Sequence, residues 1–326
     1  MSCRAAMQQG EQHSRETGAA LIIVLGLVAL ISSWAVSAAY DDTLALRRAE
    51  NSRDALRAEQ ASQSMLWLSV KVLRGDARES QRDDLEEIWA QQTTAFPIDD
   101  GNVAGVIVDS NRFINLNTLV DNNGVVVAEV EKQVKTLFTG LELDTQLVDA
   151  LIDWLDADDR PHGAGGGEDS SYYDMDYRVK NARMNRWGEL LLVRGFDAEV
   201  VNLLATVAVA GPVAANGFSA VNINTAGADV LMAMFPAMNG SDAEMFMADR
   251  PYDNVGQALL GKTWAAGVSP ANLSVVSDSF MLRTQASFGR VVLGENYMLH
   301  REAGKITLLS SERAAFLPAV TVEAKL

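Results

Sequence analysis

From Ala19 to Tyr40 the chain carries no charged residue, and its polar breaks are Gly26, Ser32, Ser33 and Ser37. At about 1.5 Å per residue a helix of that length spans roughly 33 Å, the thickness of a bilayer core. Asp41 and Asp42 close the run. Beyond them the pattern turns one-sided. Leu56, Ala61, Met65, Leu68 and Val72 recur at helical spacing, while Arg47, Arg48, Arg53, Asp54 and Arg57 fill the other face. No proline interrupts this stretch, and its first glycine is Gly75. The spacing therefore predicts one continuous helix of about 55 residues, apolar all round in its first half and amphipathic in its second. The first half suits lipid or like helices; the second half suits a globular surface or a partner helix.

After this helix the period changes. Asn102–Leu119 reads as a β-hairpin, with Val106, Val108, Phe113 and Leu116 around a turn at Asp109–Asn111. Helical spacing resumes at Gly124, with Asn122 or Asn123 as cap, continues through Leu147, Leu151, Trp154 and Leu155, and extends over "RMNRWGELLLVRGFDAEVVNLLATV". Alternation returns near Ser279, as three antiparallel strands turning at Gly289 and Gly304. A helix, two strands, a helical block and strands again is the signature of an insertion into a sheet. "FINLNTL" at Phe113–Leu119 also resembles "AVNINTAG" at Ala220–Gly227, where Thr225 is a possible N-cap.

Charge narrows the function. There are 27 basic against 43 acidic residues, a formal −16. Such a chain repels phosphate backbones, and the turn after the second near-repeat, Pro236–Glu244, holds neither Lys nor Arg, so nucleic acid is excluded as a partner. The single cysteine, Cys3, permits no internal disulfide. His13, His162 and His300 are scattered, and no nucleophile elbow, zinc-protease helix or phosphate loop occurs, so the chain reads as a non-enzyme. Asp158 and Asp159 alone do not make a glycosidase pair.

The start of the apolar run holds a choice. Ser37–Tyr40 offers small residues to signal peptidase, which would release a secreted or periplasmic calcium-binding protein after Ala39. Against this, the leader nets to zero charge and the run exceeds a signal peptide's apolar core. Gly18 stands directly before the run. Glycine, a long apolar helix and an amphipathic continuation resemble the class III signal of type IV pilins and type II secretion pseudopilins. The resemblance implies cleavage by prepilin peptidase between Gly18 and Ala19 and N-methylation of Ala19. Glu16 and Thr17, where a basic residue is common, depart from the pattern, and Met7 is an alternative start. The fifth residue of the processed chain, a glutamate in most of the family, is Ile23 here. A buried carboxylate costs about 3 kcal/mol unless paired, and that glutamate neutralises a neighbour's amine. A subunit with nothing above it has no such amine, and in carrying Ile23 this chain is similar to the protein K family of minor pseudopilins, rather than to a minor pilin of a type IV pilus.

The resemblance covers nearly the whole chain. It implies an α+β, pilin-like fold: a long N-terminal helix packed on an antiparallel β-sheet, with a large all-α domain inserted between strands. The expected divisions are a leader at 1–18, an assembly half-helix at 19–40, amphipathic helix and first strands at 41–118, the inserted domain at 119–268 and the last strands at 269–326. It also implies a single-pass inner-membrane protein of a Gram-negative bacterium with its globular part in the periplasm, moving to the pseudopilus tip. There it would prime and cap assembly with minor pseudopilins I and J, bonded through the face of Leu56, Ala61, Met65, Leu68 and Val72, and could touch secretin or exoprotein cargo.

Within the insert lies the densest chemistry. Asp153, Asp156, Asp158, Asp159, Glu168 and Asp169 flank a glycine-rich loop, with Asp174 and Asp176 beyond it. Packed carboxylates repel without a cation, and glycines let the backbone close around one. Spacing alone leaves a solvated acidic loop equally open. The resemblance favours a structural calcium ion, Ca2+, expected to brace the loop without a catalytic water; His162, among oxygen donors, reads as a solvent-facing loop residue, and Asp121, Asn122 and Asn123 read as turn and cap residues.

Overall fold

A computed structural model describes residues 3–91, 95–213 and 219–313, with side-chain surroundings from residue 20 onward. Helix α1 runs Cys3–Glu79. The chain divides into two units, residues 1–57 with 289–291 and the remainder. In the first unit the predicted apolar half is exposed from Ala20 to Tyr40 apart from half-buried Ala38, Ile23 at 69% and Trp34 at 73%, and an 18-residue window reaches a mean hydropathy of 2.4. It is long and apolar enough to cross a membrane.

In the second unit the last turns of α1 pack on a sheet. Ala58, Ala61, Met65, Leu66, Val70 and Leu73 are buried, and two serines share their face. Ser62 bonds Thr284 and, at 2.9 Å, the Tyr297 hydroxyl; Ser69 donates to the Met65 carbonyl at 2.9 Å. Satisfied in this way, both serines sit inside at little cost. The helix comes so close at Gly105 that a Cβ there would lie 2.6 Å from Met65 Cγ.

The sheet is built from β1 (Phe96–Ile98), β2 (Gly101–Asp109), β7 (Ser279–Phe288), β8 (Val291–Glu302) and β9 (Lys305–Arg313), in the order β1-β2-β7-β8-β9. Strand β2 pairs antiparallel with β7, from Gly101 opposite Phe288 to Asp109 opposite Phe280. Everything from Ser110 to Asp278 is therefore inserted between two neighbouring strands. The three predicted C-terminal strands and their turns at Gly289 and Gly304 are present, with φ of +55° and +76°.

The expected hairpin at Asn102–Leu119 does not form. Strand β2 pairs instead with β1, through a turn at Asp99–Asp100, and at Asp109 the chain leaves the sheet. Asp109 is 1% exposed, and its carboxylate accepts hydrogen bonds from Asn111 N at 2.8 Å, Asn222 Nδ2 at 3.1 Å, Ser277 at 2.7 Å and Thr225. Burial lifts its pKa to about 6. One local amide and three side chains from two distant segments hold Asp109 where a hairpin turn would have left it in water. Phe113 and Leu116 consequently begin the insert, whose extent is 110–278, wider than 119–268.

The insert has one hydrophobic core, contributed by α2 (Ala128–Gly140), α3 (Gln146–Leu155), α4 (Ala198–Leu204), α5 (Ala228–Met234), α6 (Gly240–Ala248) and α7 (Val255–Leu259). It is helical apart from two short parallel ladders, β3 (Ile114–Asn115) with β4 (Ala208–Val209) and β5 (Val221–Asn222) with β6 (Leu273–Ser274). The near-repeat sits at the start of each ladder and folds alike. Asn115 and Asn222 each accept from the amide two residues on. Asn117 then exchanges a bond pair with the backbone of Met184, at 2.9 and 2.8 Å, and Asn224 with that of Tyr252, at 3.0 and 2.8 Å. The expected caps differ. Val127 precedes α2, and Asp121 with Asn123 makes the turn before it; Gly227 precedes α5, because the Thr225 hydroxyl is spent on Asp109. The "RWGELLL" part of the predicted helical run is a 3₁₀ stretch, Trp187–Leu192, and α4 starts separately at Asp197, a side-chain cap.

Candidate metal centre

Helix α3 ends at Leu155, with Asp156 as its C-cap. It carries Asp149 and Asp153 one turn apart, on the same side. The loop that follows folds back over these carboxylates. His162 N donates to Asp153 Oδ1 at 2.8 Å, Gly167 N to Asp153 Oδ2, and Gly165 N to Asp149 Oδ2 at 3.1 Å. Glycine is obligatory in this wrap. A Cβ on Gly163, at φ +58°, would lie 2.3 Å from Asp149 Oδ2, and one on Gly166 would meet Asp153 Oδ2 at 2.5 Å. Arg194 pins the loop from outside through the Gly165 and Gly166 carbonyls, both at 2.8 Å. Trp154, Tyr172 and Tyr177 pack as a trio beneath.

The fold gathers three of the six predicted carboxylates. An oxygen from each of Asp153, Asp156 and Glu168 lies within 4.8 Å of the others, and the residues are 0, 4 and 6% exposed. Asp156 Oδ1 and Glu168 Oε1 are buried with no hydrogen-bond partner. Burial, reinforced by Asp153 and its neighbours, pushes Asp156 up to about 6 and Glu168 up to about 7. Buried, unpartnered, mutually repelling hard oxygens fit a calcium ion, which takes six to eight such ligands.

The other three residues stay outside the cluster. Asp158, Asp159 and Asp169 are exposed. Asp158 caps the Arg160 amide at 2.8 Å, Asp159 lies 3.5 Å from Asn181 Nδ2, and Asp169 lies 3.5 Å from Arg178. Asp174 and Asp176 are exposed as well. His162 is not a free loop residue: its Nε2 lies 3.1 Å from Glu131 Oε1, where Lys135 joins Glu131 and Asp149 at 2.7 and 2.8 Å. Sequence reasoning missed this cluster, although Glu131 and Lys135 stand four apart on α2, the spacing of a helical ion pair.

Of the expected partner face, Ala61 and Met65 are buried against the chain's own sheet and are not free for another helix. Leu56 and Leu68 are exposed, Val72 is half-buried, and the unforeseen Trp67 is 70% exposed beside Leu68. Gly18 and Ala19 fall within α1, and their surroundings lie outside the described residues.

Known proteins resemble this chain along most of its length. Two family models described as "Type II secretion system (T2SS), protein K" match residues 112–213 and 221–276, which divide at the two near-repeats. Type II secretion system protein K of Pseudomonas aeruginosa is 34% identical over 68% of this chain and 68% of its own. The chain belongs to the type II secretion system protein K family. The protein K of Pectobacterium carotovorum is 29% identical over 93% of this chain and 98% of its own. The fold matches a chain in the crystal structure of the GspK-GspI-GspJ complex from enterotoxigenic Escherichia coli, with a TM-score of 0.70, 24% identity, and coverage of 82% of this chain and 99% of that one. This chain is thus a minor pseudopilin of type II secretion, with an N-terminal helix fit to anchor it in a membrane.

Proposed function

We propose that this minor pseudopilin sits at the tip of the pseudopilus and there primes and caps its assembly. Ile23 carries this reading. It stands where a glutamate would neutralise the amine of a further subunit, and the last subunit has none to neutralise. Before assembly the chain is held in the inner membrane by Ala19–Tyr40 with its globular part in the periplasm. Prepilin peptidase cuts after Gly18, and Ala19 is methylated. The solved relative is in complex with GspI and GspJ, which supports minor pseudopilins I and J as partners here. Leu56, Trp67 and Leu68 are the exposed apolar positions of the helix suited to that contact. The insert at 110–278 adds bulk that would obstruct a further subunit, and cargo or secretin are its proposed contacts.

Asp153, Asp156 and Glu168 are the residues that would hold calcium. Bound there, the ion supplies charge neutralisation and a clamp between the end of α3 and the loop. The chain's own groups do the rest: the Gly165 and Gly167 amides and Arg194 fix the loop.

The test is intact mass and N-terminal mapping of the chain coexpressed with prepilin peptidase. A methylated Ala19 terminus is expected, and Ile23→Glu should then lower the yield of complex with I and J. A chain starting at Tyr40 overturns the reading.

A further inference from the structure

We propose that Asp76, Asp83 and Glu87 form a second divalent-cation site, for calcium, which ties the end of α1 to the loop entering the sheet. It lies in the pilin-like part and does not depend on the site in the insert.

The central residue is Asp83, 1% exposed. Its Oδ2 accepts from Ser277 N at 2.7 Å and from Arg301 Nη2, while its Oδ1 is sealed from water without a partner. Arg301 Nη1 donates to Asp76 Oδ2 at 2.8 Å. Glu87 Oε2 accepts from Asp84 N at 3.1 Å and from Trp89 Nε1 at 2.7 Å. In each carboxylate these donors use one oxygen and leave the other. An oxygen from each of the three residues lies within 4.8 Å of the others. Two oxygens each about 2.4 Å from one calcium ion are at most about 4.8 Å apart, so the spacing suits a shared ion.

The charges agree. Three carboxylates face the single guanidinium of Arg301, and the remaining two negative charges are those a divalent cation neutralises. Other charged groups nearby are engaged: Asp84 pairs with Arg82 at 3.1 Å, Arg82 also with Asp253, and Asp109 is saturated by its four donors. Asp76 and Glu87 are only half-buried, which leaves an entry and room for the waters that complete a calcium shell. Hard oxygens without nitrogen or sulfur favour calcium over zinc.

Trp89 makes the site readable, because an indole beside a bound terbium ion sensitises its emission. The full chain in detergent micelles, carrying Asp156→Asn and Glu168→Gln to disable the insert site beside Trp154, is titrated with terbium and then calcium. Sensitised emission that calcium displaces is expected. Glu87→Gln or Asp76→Asn added to that background should abolish it. Trp89→Phe should remove most of the emission while equilibrium dialysis still finds the bound calcium, which separates loss of the antenna from loss of the fold. The proposal is overturned if the background variant retains no calcium in dialysis, or if its emission is indifferent to Glu87→Gln and Trp89→Phe. Failure of the insert site looks different: the wild-type chain would then hold calcium that Glu87→Gln alone releases.

Discussion

Helix α3 feeds two acidic clusters that are neutralised in different ways. Toward α2, Asp149 meets Glu131 and His162, and the Lys135 ammonium bridges both carboxylates. Burial would raise Glu131 and Asp149, but hydrogen bonds from Lys135 outweigh it, and both lie below the usual carboxylate range. One turn on, Asp153 meets Asp156 and Glu168, with no ammonium or guanidinium bonded to them, and Asp156 and Glu168 are pushed upward. The same helix therefore carries one cluster completed by the chain and one suited to a cation from outside. An acidic run in a sequence looks the same in either case. What distinguishes them is whether a basic side chain from another element reaches the carboxylates.

The largest break in this comparison is removal of the proposed calcium ion. A ligand at a few hundred times its dissociation constant stabilises the native state by about 3–4 kcal/mol. Chelation should lower the melting temperature of the full chain in micelles accordingly, and Asp156→Asn with Glu168→Gln should make melting nearly indifferent to calcium at the insert site. Next comes Lys135→Met, which strips the internal cation from the other cluster. Breaking a buried pair costs about 3–5 kcal/mol, but the Lys135 side chain is 34% exposed and screened by water, so about 1–2 kcal/mol is expected in denaturant titrations.

A smaller effect, of opposite sign with and without calcium, comes from pH. In the cation-free chain Asp156 and Glu168 are raised, so the stability they lend by staying protonated is full below their ordinary range. It is lost as pH rises through about 6 and 7. Calcium needs both ionised, so its stabilising increment grows over the same window, by about 1.4 kcal/mol for each tenfold gain in affinity. Melting curves at pH 5.5 and 8, with calcium and with chelator, should diverge toward the alkaline side; parallel curves would remove the two residues from the site. The smallest effect belongs to Asp158→Asn and Asp169→Asn. Both are exposed, and each should change stability by less than about 0.5 kcal/mol while leaving calcium stoichiometry intact.

The long helix was legible because apolar length and one-sided spacing are local properties, and the C-terminal strands because alternation and Gly289 and Gly304 mark them without outside help. The stripe on α1 was only half legible. Ser62 and Ser69 read as polar, yet partners hold them inside, and of the stripe read as a face for partner helices Ala61 and Met65 are buried while Leu56 and Leu68 stay exposed. The hairpin was misread because Asp109 looked like a turn residue, and three of its four donors come from segments far along the chain.

By itself the sequence determined that this chain has a bilayer-length apolar helix, an amphipathic continuation, an interrupted sheet and an acidic glycine loop, since each follows from the order of side chains along a few turns. Only the tertiary structure decided which carboxylates stand together. Asp153, Asp156 and Glu168 meet because the glycine loop folds back on α3, and Asp76, Asp83 and Glu87 meet because Arg301 on β8 draws two of them inward. Charge repulsion opposes both gatherings, and it takes packing and hydrogen bonds contributed by distant residues to hold them against it.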